Sequence, residues 1–208
     1  MLDVLAIAEG STVADVGAGT GYITLRLAQR VGSRGRVLAT GLQPELLDVL
    51  RARADDAGAG NVVTIKASAS DAKLPRDEVD LVLMIDVYHE LSDPRATLAQ
   101  VHDALRSNGR LALVEYRAED PAVAIKPEHK MTLEQIKKEL IASEFRFVTS
   151  AESLPEQRVV IFARQEAPRT TDSASSGALA LAKPRAARCR DIPSYPPMIG
   201  LIVALSTY

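Results

Sequence analysis

The chain is almost without cysteine, and this absence narrows the kinds of protein it can be. Cys189 is the only cysteine among 208 residues, which excludes an intramolecular disulfide and a cysteine-based zinc site. No apolar run reaches the roughly 18 residues of a membrane-spanning helix. The N-terminus also lacks the basic segment and long apolar core of a signal peptide. These absences predict a cytoplasmic protein without a membrane partner.

An excess of charge of one sign is also missing. The 25 basic and 27 acidic side chains give a formal net charge of −2, and no basic patch is interleaved with aromatic residues. The sequence therefore predicts no nucleic-acid partner. Its three histidines include no H-x-x-x-H pair, so we predict no metal site. An apolar content of 47% is typical of an ordinary globular domain.

The order of strand-like and helix-like runs predicts the fold class. Five short aliphatic runs read as strands, at 12–16, 36–40, 62–66, 81–85 and 111–116. Amphipathic runs read as helices, at 21–31, 44–57, 94–106 and 132–143. Such alternation indicates βαβ units and a parallel sheet. Two further strands, 145–150 and 158–164, are separated by a turn at Leu154-Pro155-Glu156, which predicts a final antiparallel hairpin.

The most informative motif lies between the first strand and the first helix. It reads Asp15-Val16-Gly17-Ala18-Gly19-Thr20-Gly21. Glycine tolerates positive φ and allows a ligand to approach the backbone, and amides at a helix N-terminus attract anionic or polar groups. Tyr22 stands where the dinucleotide fingerprint needs its third glycine. The alternative is a tight turn that binds no ligand.

This D-x-G-x-G-x-G pattern resembles the class I S-adenosylmethionine-dependent methyltransferases. Segments 35–47, 70–75, 80–91 and 105–115 resemble later parts of that family in the same order. The resemblance covers residues 1–164. It implies a Rossmann-like, mainly parallel seven-stranded sheet with helices on both faces and a C-terminal antiparallel β-hairpin. Residues 165–208 are rich in proline and serine, and we expect a disordered or aberrant tail there.

The resemblance also implies an activity and a set of cofactor-binding residues. The activity is methyl transfer from S-adenosylmethionine to an unidentified small-molecule acceptor. The implied cofactor-binding residues are Asp15, Gly17, Ala18, Gly19, Gly21, Gln43, Ser70, Asp71 and Asp86. Asp71 is expected on the adenine side, where the alternative is an aspartate that caps a turn.

One position departs from the family pattern. Gly41 stands where the family has an acidic residue that binds both ribose hydroxyls, and Gln43 is expected to substitute for it; alternatively, Gln43 only begins the next helix. The missing acid, together with an N-terminus shorter than the family's, favours the alternative of a non-catalytic member that binds the cofactor weakly or serves as an interaction module.

Three side chains are candidates for acid–base chemistry on the acceptor. They are His89, after the fourth strand, Glu115, at the end of the fifth, and His129, in the following loop. Methyl transfer mainly requires alignment of the nucleophile with the methyl group. A general base helps only when that nucleophile has a proton to lose. A structural histidine and solvated surface residues are the alternative interpretations.

Overall fold

The structure is a computed structural model, and it describes residues 1–165. These lie in one compact unit, Met1–Ala167. Apart from Gln165, the tail predicted over residues 165–208 lies outside the described residues. None of the helices within residues 1–165 has the length and apolar character that crossing a bilayer requires.

The described chain forms one mixed sheet covered by helices. Its strands are β1 (Thr12–Val16), β2 (Arg36–Gly41), β3 (Val62–Lys66), β4 (Val79–Ile85), β5 (Leu105–Arg117), β6 (Lys130–Met131), β7 (Phe145–Ala151) and β8 (Gln157–Arg164). Its helices are α1 (Tyr22–Val31), α2 (Pro44–Asp56), α3 (Pro94–Ala104) and α4 (Leu133–Ala142). The strand order is β3-β2-β1-β4-β5-β8-β7, and β6 pairs with β5.

The strand directions confirm the predicted fold class. Strands β1 to β5 pair in parallel, whereas β8 is antiparallel to both of its neighbours, β5 and β7. The short strand β6, parallel to β5, is an addition that the sequence did not predict.

Side chains on neighbouring strand positions enter two different apolar layers. Val13 packs in the layer that contains Leu27 of α1, and Ala14 packs in the layer that contains Leu98 of α3 and Ile136 of α4. Both faces of the sheet are therefore buried, which explains why the parallel strands are aliphatic rather than alternating.

The end of α3 differs from the sequence prediction, which extended this helix to residue 106. The helix ends at Ala104, and β5 begins at the next residue because Leu105 already pairs with Val79 of β4. The pairing then shifts register, so that Arg110 stands beside Leu81. Strand pairing ends the helix earlier than its apolar periodicity suggests.

The carboxyl ends of the parallel strands form the edge that positions the candidate site. Val16 of β1 is level with Met84 of β4, and Ile85 is level with Val114 of β5. The glycine loop, the turn after β4 and Glu115 therefore lie at the same edge of the sheet. In open α/β sheets, ligands bind outside this edge.

Candidate active site

The glycine loop is held against β2 by backbone hydrogen bonds. The amides of Gly17 and Ala18 both donate to the Thr40 carbonyl, at 3.0 and 2.9 Å. The Gly21 amide donates to the Ala18 carbonyl at 2.9 Å. Neither the Gly19 nor the Thr20 amide has a hydrogen-bond acceptor within residues 1–165. Two adjacent donors at the tip of the loop are thus available to a ligand.

Different surroundings explain why glycine stands at each of the three positions of the loop. A Cβ atom on Gly17 would overlap the Val87 side chain, and one on Gly21 would lie 2.7 Å from Cγ of Leu50. Gly19 has φ +53°, and a Cβ atom there would meet no atom within 4 Å. Packing therefore requires the first and third glycines, whereas the second borders open space. That space and the donors beside it fit a bound cofactor.

Asp15 links the strand before the loop to the helix after it. Asp15 is only 4% exposed. Its Oδ2 accepts a hydrogen bond of 2.6 Å from Oγ1 of Thr24 in α1. Burial raises the pKa of Asp15 to about 6, although the Thr24 hydrogen bond acts in the opposite direction. Asp15 thus fixes both ends of the glycine loop.

The raised pKa of Asp15 predicts a pH-dependent loss of stability. An unfolded chain releases this proton near pH 3.8, whereas the folded chain holds it to about pH 6. Compared with Asp15→Asn, the wild-type free energy of unfolding should therefore fall as pH rises through this interval and stay lower above it. The difference should be on the order of 3 kcal/mol. Urea unfolding of both proteins at several pH values measures it, and parallel stability curves would contradict the prediction.

At the end of β2, a larger residue at position 41 requires a small shift of the flexible Leu47 side chain. A Cβ atom on Gly41 would lie 3.1 Å from Cδ2 of Leu47, and the glycine is outside the left-handed region. Oγ1 of the preceding Thr40 is buried without a hydrogen-bond partner in the described chain. Gln43 is exposed, and its side chain makes no cap hydrogen bond to α2. Gln43 therefore offers an unengaged amide where the ribose is expected, whereas Oγ1 of Thr40 is enclosed by the protein.

Gly41→Asp should tighten binding of S-adenosylhomocysteine. A restored charge-assisted contact contributes about 1.5–3 kcal/mol, which corresponds to roughly tenfold to a hundredfold in affinity. Calorimetric titration measures the change, and Gly41→Asn is the control of equal size without the charge. Weaker binding of both variants would show that this position cannot contact the ribose.

The loop after β3 is fixed by a residue that the sequence reasoning missed. Gln100 of α3 donates to the Ser70 carbonyl and accepts from the Ala72 amide at 2.9 Å. Oδ1 of Asp71 accepts from the Lys73 amide at 2.7 Å, which is the geometry of an aspartate that caps its own turn. The adenine-binding role of Asp71 and of the exposed Ser70 remains a prediction.

Asp86 occupies an uncommon conformation directly after β4. Its φ is +52°, a value that costs energy for a residue other than glycine and is concentrated at functional sites. Both of its carboxylate oxygens accept from Nε2 of Gln157, at 2.8 and 2.7 Å. Burial raises the pKa of Asp86 to about 6, although the hydrogen bond from Gln157 acts to lower it. Gln157 also went unnoticed in the sequence.

The three acid–base candidates meet in one hydrogen-bonded chain. Glu115 is completely buried, and its Oε1 accepts from the Tyr88 amide at 3.1 Å. Its Oε2 lies 2.7 Å from Nδ1 of His89. Nε2 of His89 in turn lies 3.1 Å from Nδ1 of His129. Residues from two separate loops are therefore brought together behind the glycine loop, which contacts the same turn through Val87.

Glu115 determines the orientation of the His89 ring. Because a carboxylate oxygen accepts, Nδ1 of His89 carries the proton, and in the neutral ring Nε2 has the lone pair. Burial would lower the pKa of His89, but the hydrogen bond and negative charge of Glu115 outweigh it and raise that pKa above its ordinary value. The Tyr88 hydroxyl donates to Glu139 of α4 at 2.8 Å, which anchors the turn.

Comparisons with known proteins agree with this geometry. A family model described as a methyltransferase domain matches residues 7–164. A ubiquinone/menaquinone biosynthesis C-methyltransferase UbiE of Vibrio vulnificus is 27% identical over 175 residues, covering 80% of this chain and 66% of the relative. The same enzyme of Psychromonas ingrahamii is 29% identical over 116 residues, covering 55% of this chain and 46% of the relative. The chain thus spans about half to two thirds of the length of these relatives.

A solved structure resembles this chain in both fold and sequence. The crystal structure of an S-adenosylmethionine-dependent methyltransferase from Aquifex aeolicus superposes with a TM-score of 0.73 at 26% identity. It covers 77% of this chain and 86% of the Aquifex chain.

Proposed function

This chain belongs to the class I S-adenosylmethionine-dependent methyltransferases, and from that premise we propose that it methylates a small aromatic acceptor that carries a hydroxyl group, of the quinol type. S-adenosylmethionine is the cofactor of the family, and it supplies an electrophilic methyl group on a sulfonium. The observation that carries the proposal is the contact of the glycine loop with the turn that holds His89.

On the cofactor side, we assign the methionine part to the tip of the glycine loop. The unengaged amides of Gly19 and Thr20 suit a carboxylate, and the open space at Gly19 gives the ligand room. Asp15 supports the loop from below through Thr24. Gln43 is assigned to the ribose, because its side chain is exposed at the end of β2 and makes no cap hydrogen bond.

On the acceptor side, we assign proton removal to His89. A bound cofactor would supply the methyl group: the acceptor ring carbon would bond to it as the methyl–sulfur bond breaks, and the electron pair of that bond would stay on sulfur. The methylated carbon would then release its own hydrogen as a proton, which restores the aromatic ring. The acceptor hydroxyl would replace Nδ1 of His129, which lies 3.1 Å from Nε2 of His89, and pass its proton to Nε2. Glu115 holds the ring through Nδ1 at 2.7 Å and stabilises the positive charge that forms. A general base of this kind contributes about 10²- to 10⁴-fold in rate.

The quinol-type acceptor is supported by two arguments. The relatives from Vibrio and Psychromonas act, by their names, on carbon in ubiquinone and menaquinone biosynthesis. A buried pair of a carboxylate and a histidine is useful for an acceptor whose ring carbon becomes nucleophilic when a neighbouring hydroxyl loses its proton. An acceptor without an acidic proton would make no use of this pair.

An assay with methyl-labelled S-adenosylmethionine tests the proposal. Simple quinols should acquire the label on carbon, whereas the same compounds with both hydroxyls blocked as methyl ethers should not. Calorimetric binding of S-adenosylhomocysteine, run in parallel, confirms that the cofactor site is intact. Equal labelling of quinols and blocked ethers, or labelling of neither with intact cofactor binding, would refute the acceptor class.

A further inference from the structure

We propose that His89, Glu90 and His129 form a binding site for a divalent transition-metal ion beside the site of methyl transfer. One ligand atom from each residue lies within 4.8 Å of the others. These atoms are Nε2 of His89, a carboxylate oxygen of Glu90 and Nδ1 of His129. Two imidazoles and a carboxylate are the donor set of many zinc and iron sites.

The two histidine nitrogens are already spaced as ligands of one ion. They lie 3.1 Å apart, and two nitrogen ligands on a tetrahedral zinc ion stand roughly 3.3 Å apart, given zinc–nitrogen bonds of about 2.0–2.1 Å. Oε1 of Glu90 lies 4.0 Å from Nε2 of His89, and the Glu90 side chain is 36% exposed, so a rotation can bring it closer. Three protein ligands leave a fourth position open, as in catalytic rather than structural zinc sites.

A second, independent observation concerns the other nitrogen of His89. Nδ1 donates to Glu115, which is completely buried and held in place by the Tyr88 amide. Metal-bound histidines characteristically donate their second N–H to a carboxylate, which fixes the tautomer and makes the ligand more basic. Glu115 thus leaves the lone pair of Nε2 on the side of His129, where a metal ion would replace the hydrogen bond between the two histidines.

The three ligands do not share a helix or strand, so no H-x-x-x-H spacing marks them in the sequence. His89 and Glu90 lie in the turn after β4, whereas His129 lies in the connection between β5 and β6. The parallel pairing of β4 with β5 brings these two connections to the same sheet edge. A search for H-x-x-x-H pairs cannot find such a site.

The ion has a consequence for catalysis that rests on the proposed function. Nε2 of His89 cannot coordinate a metal ion and accept a proton at the same time. Zinc should therefore inhibit methyl transfer to a quinol. Binding of the ion itself requires neither cofactor nor acceptor, so the binding test remains valid if the acceptor has been assigned wrongly.

Titration of the metal-free full-length protein with Co²⁺ tests the site directly. We expect the intense visible bands of tetrahedral cobalt, bleached by Zn²⁺. His129→Ala should abolish the bands, and Glu115→Gln should weaken cobalt affinity by about 10- to 100-fold, the usual effect of losing a carboxylate behind a ligating histidine. His102→Ala is the matched control, because His102 lies in α3 near Gln165 and outside the cluster; its spectrum should equal that of the wild type.

Two further measurements keep the result interpretable. Circular dichroism of each variant shows whether it is folded, and a Cys189→Ser background removes the only thiol as a ligand. Absence of tetrahedral bands in the folded wild type would overturn the proposal. Bands that survive His129→Ala, or that His102→Ala removes equally, would also overturn it.

Discussion

Gly19→Val is expected to abolish binding of S-adenosylmethionine and S-adenosylhomocysteine while the protein remains folded. A Cβ atom at this position meets no protein atom within 4 Å, so the new side chain would fill the space assigned to the methionine part of the cofactor. The positive φ of Gly19 is unfavourable for any other residue, at a cost of roughly 1–2 kcal/mol. Calorimetry measures the binding, and thermal unfolding measures the stability cost.

Gly58→Val is the matched control for this experiment. Gly58 has φ +63° and open space around its Cα, but it lies after α2, away from the glycine loop. Both variants should lose similar stability, and only the Gly19 variant should lose the cofactor. Unchanged affinity in Gly19→Val would mean that the cofactor does not approach this loop, and equal losses in both variants would assign the effect to backbone strain.

Glu115→Gln is expected to lower kcat for methyl transfer by about 10²- to 10⁴-fold, the contribution of a general base. The glutamine can still accept from the Tyr88 amide, but its amide group then faces Nδ1 of His89 and donates to it. The ring must take the other tautomer, with the proton on Nε2. Nε2 then no longer accepts the acceptor's proton, although the shape of the site is preserved.

Two comparisons separate this effect from a general loss of structure. The affinity for S-adenosylhomocysteine should be unchanged in Glu115→Gln, because Glu115 contacts the turn of His89 and not the glycine loop. Glu139→Gln is the second comparison: Glu139 accepts from the Tyr88 hydroxyl but makes no contact with His89, and its activity should change little. A kcat for Glu115→Gln similar to that of Glu139→Gln would exclude His89 as the base.

The local parts of the fold were predictable from the sequence, because their causes are local. The aliphatic run 12–16, buried on both faces, became β1 with the predicted bounds. Gly17, Gly19 and Gly21, which follow, all have positive φ, a local backbone requirement that glycine meets without strain. These effects depend on a few neighbouring residues, and they appear directly as apolar runs, turns and caps.

The contacts that complete the site could not be predicted from local sequence patterns. Gln157 holds Asp86 across 71 positions of sequence, and Gln100 holds the loop of Ser70 across 30. A glutamine on a strand or a helix carries no signal of its own, since its partner is decided by how the sheet is ordered. The burial of Glu115 has the same origin: β5 lies between β4 and β8, so Glu115 is covered although it lies close to the end of its strand.

The order of strands in the sheet has a consequence for how the protein matures during synthesis. The glycine loop is bonded to β2 and packs against Leu50 and Val87, so its last partner is present once β4 and the turn after it have formed. Asp86, in contrast, acquires its partner only when β8, the last strand, has inserted between β5 and β7. Such long-range pairing is slow, and β8 is the last strand of this unit to leave the ribosome. The contacts of the glycine loop should therefore form before Asp86 acquires its partner, and the complete site should exist only after the final hairpin has docked.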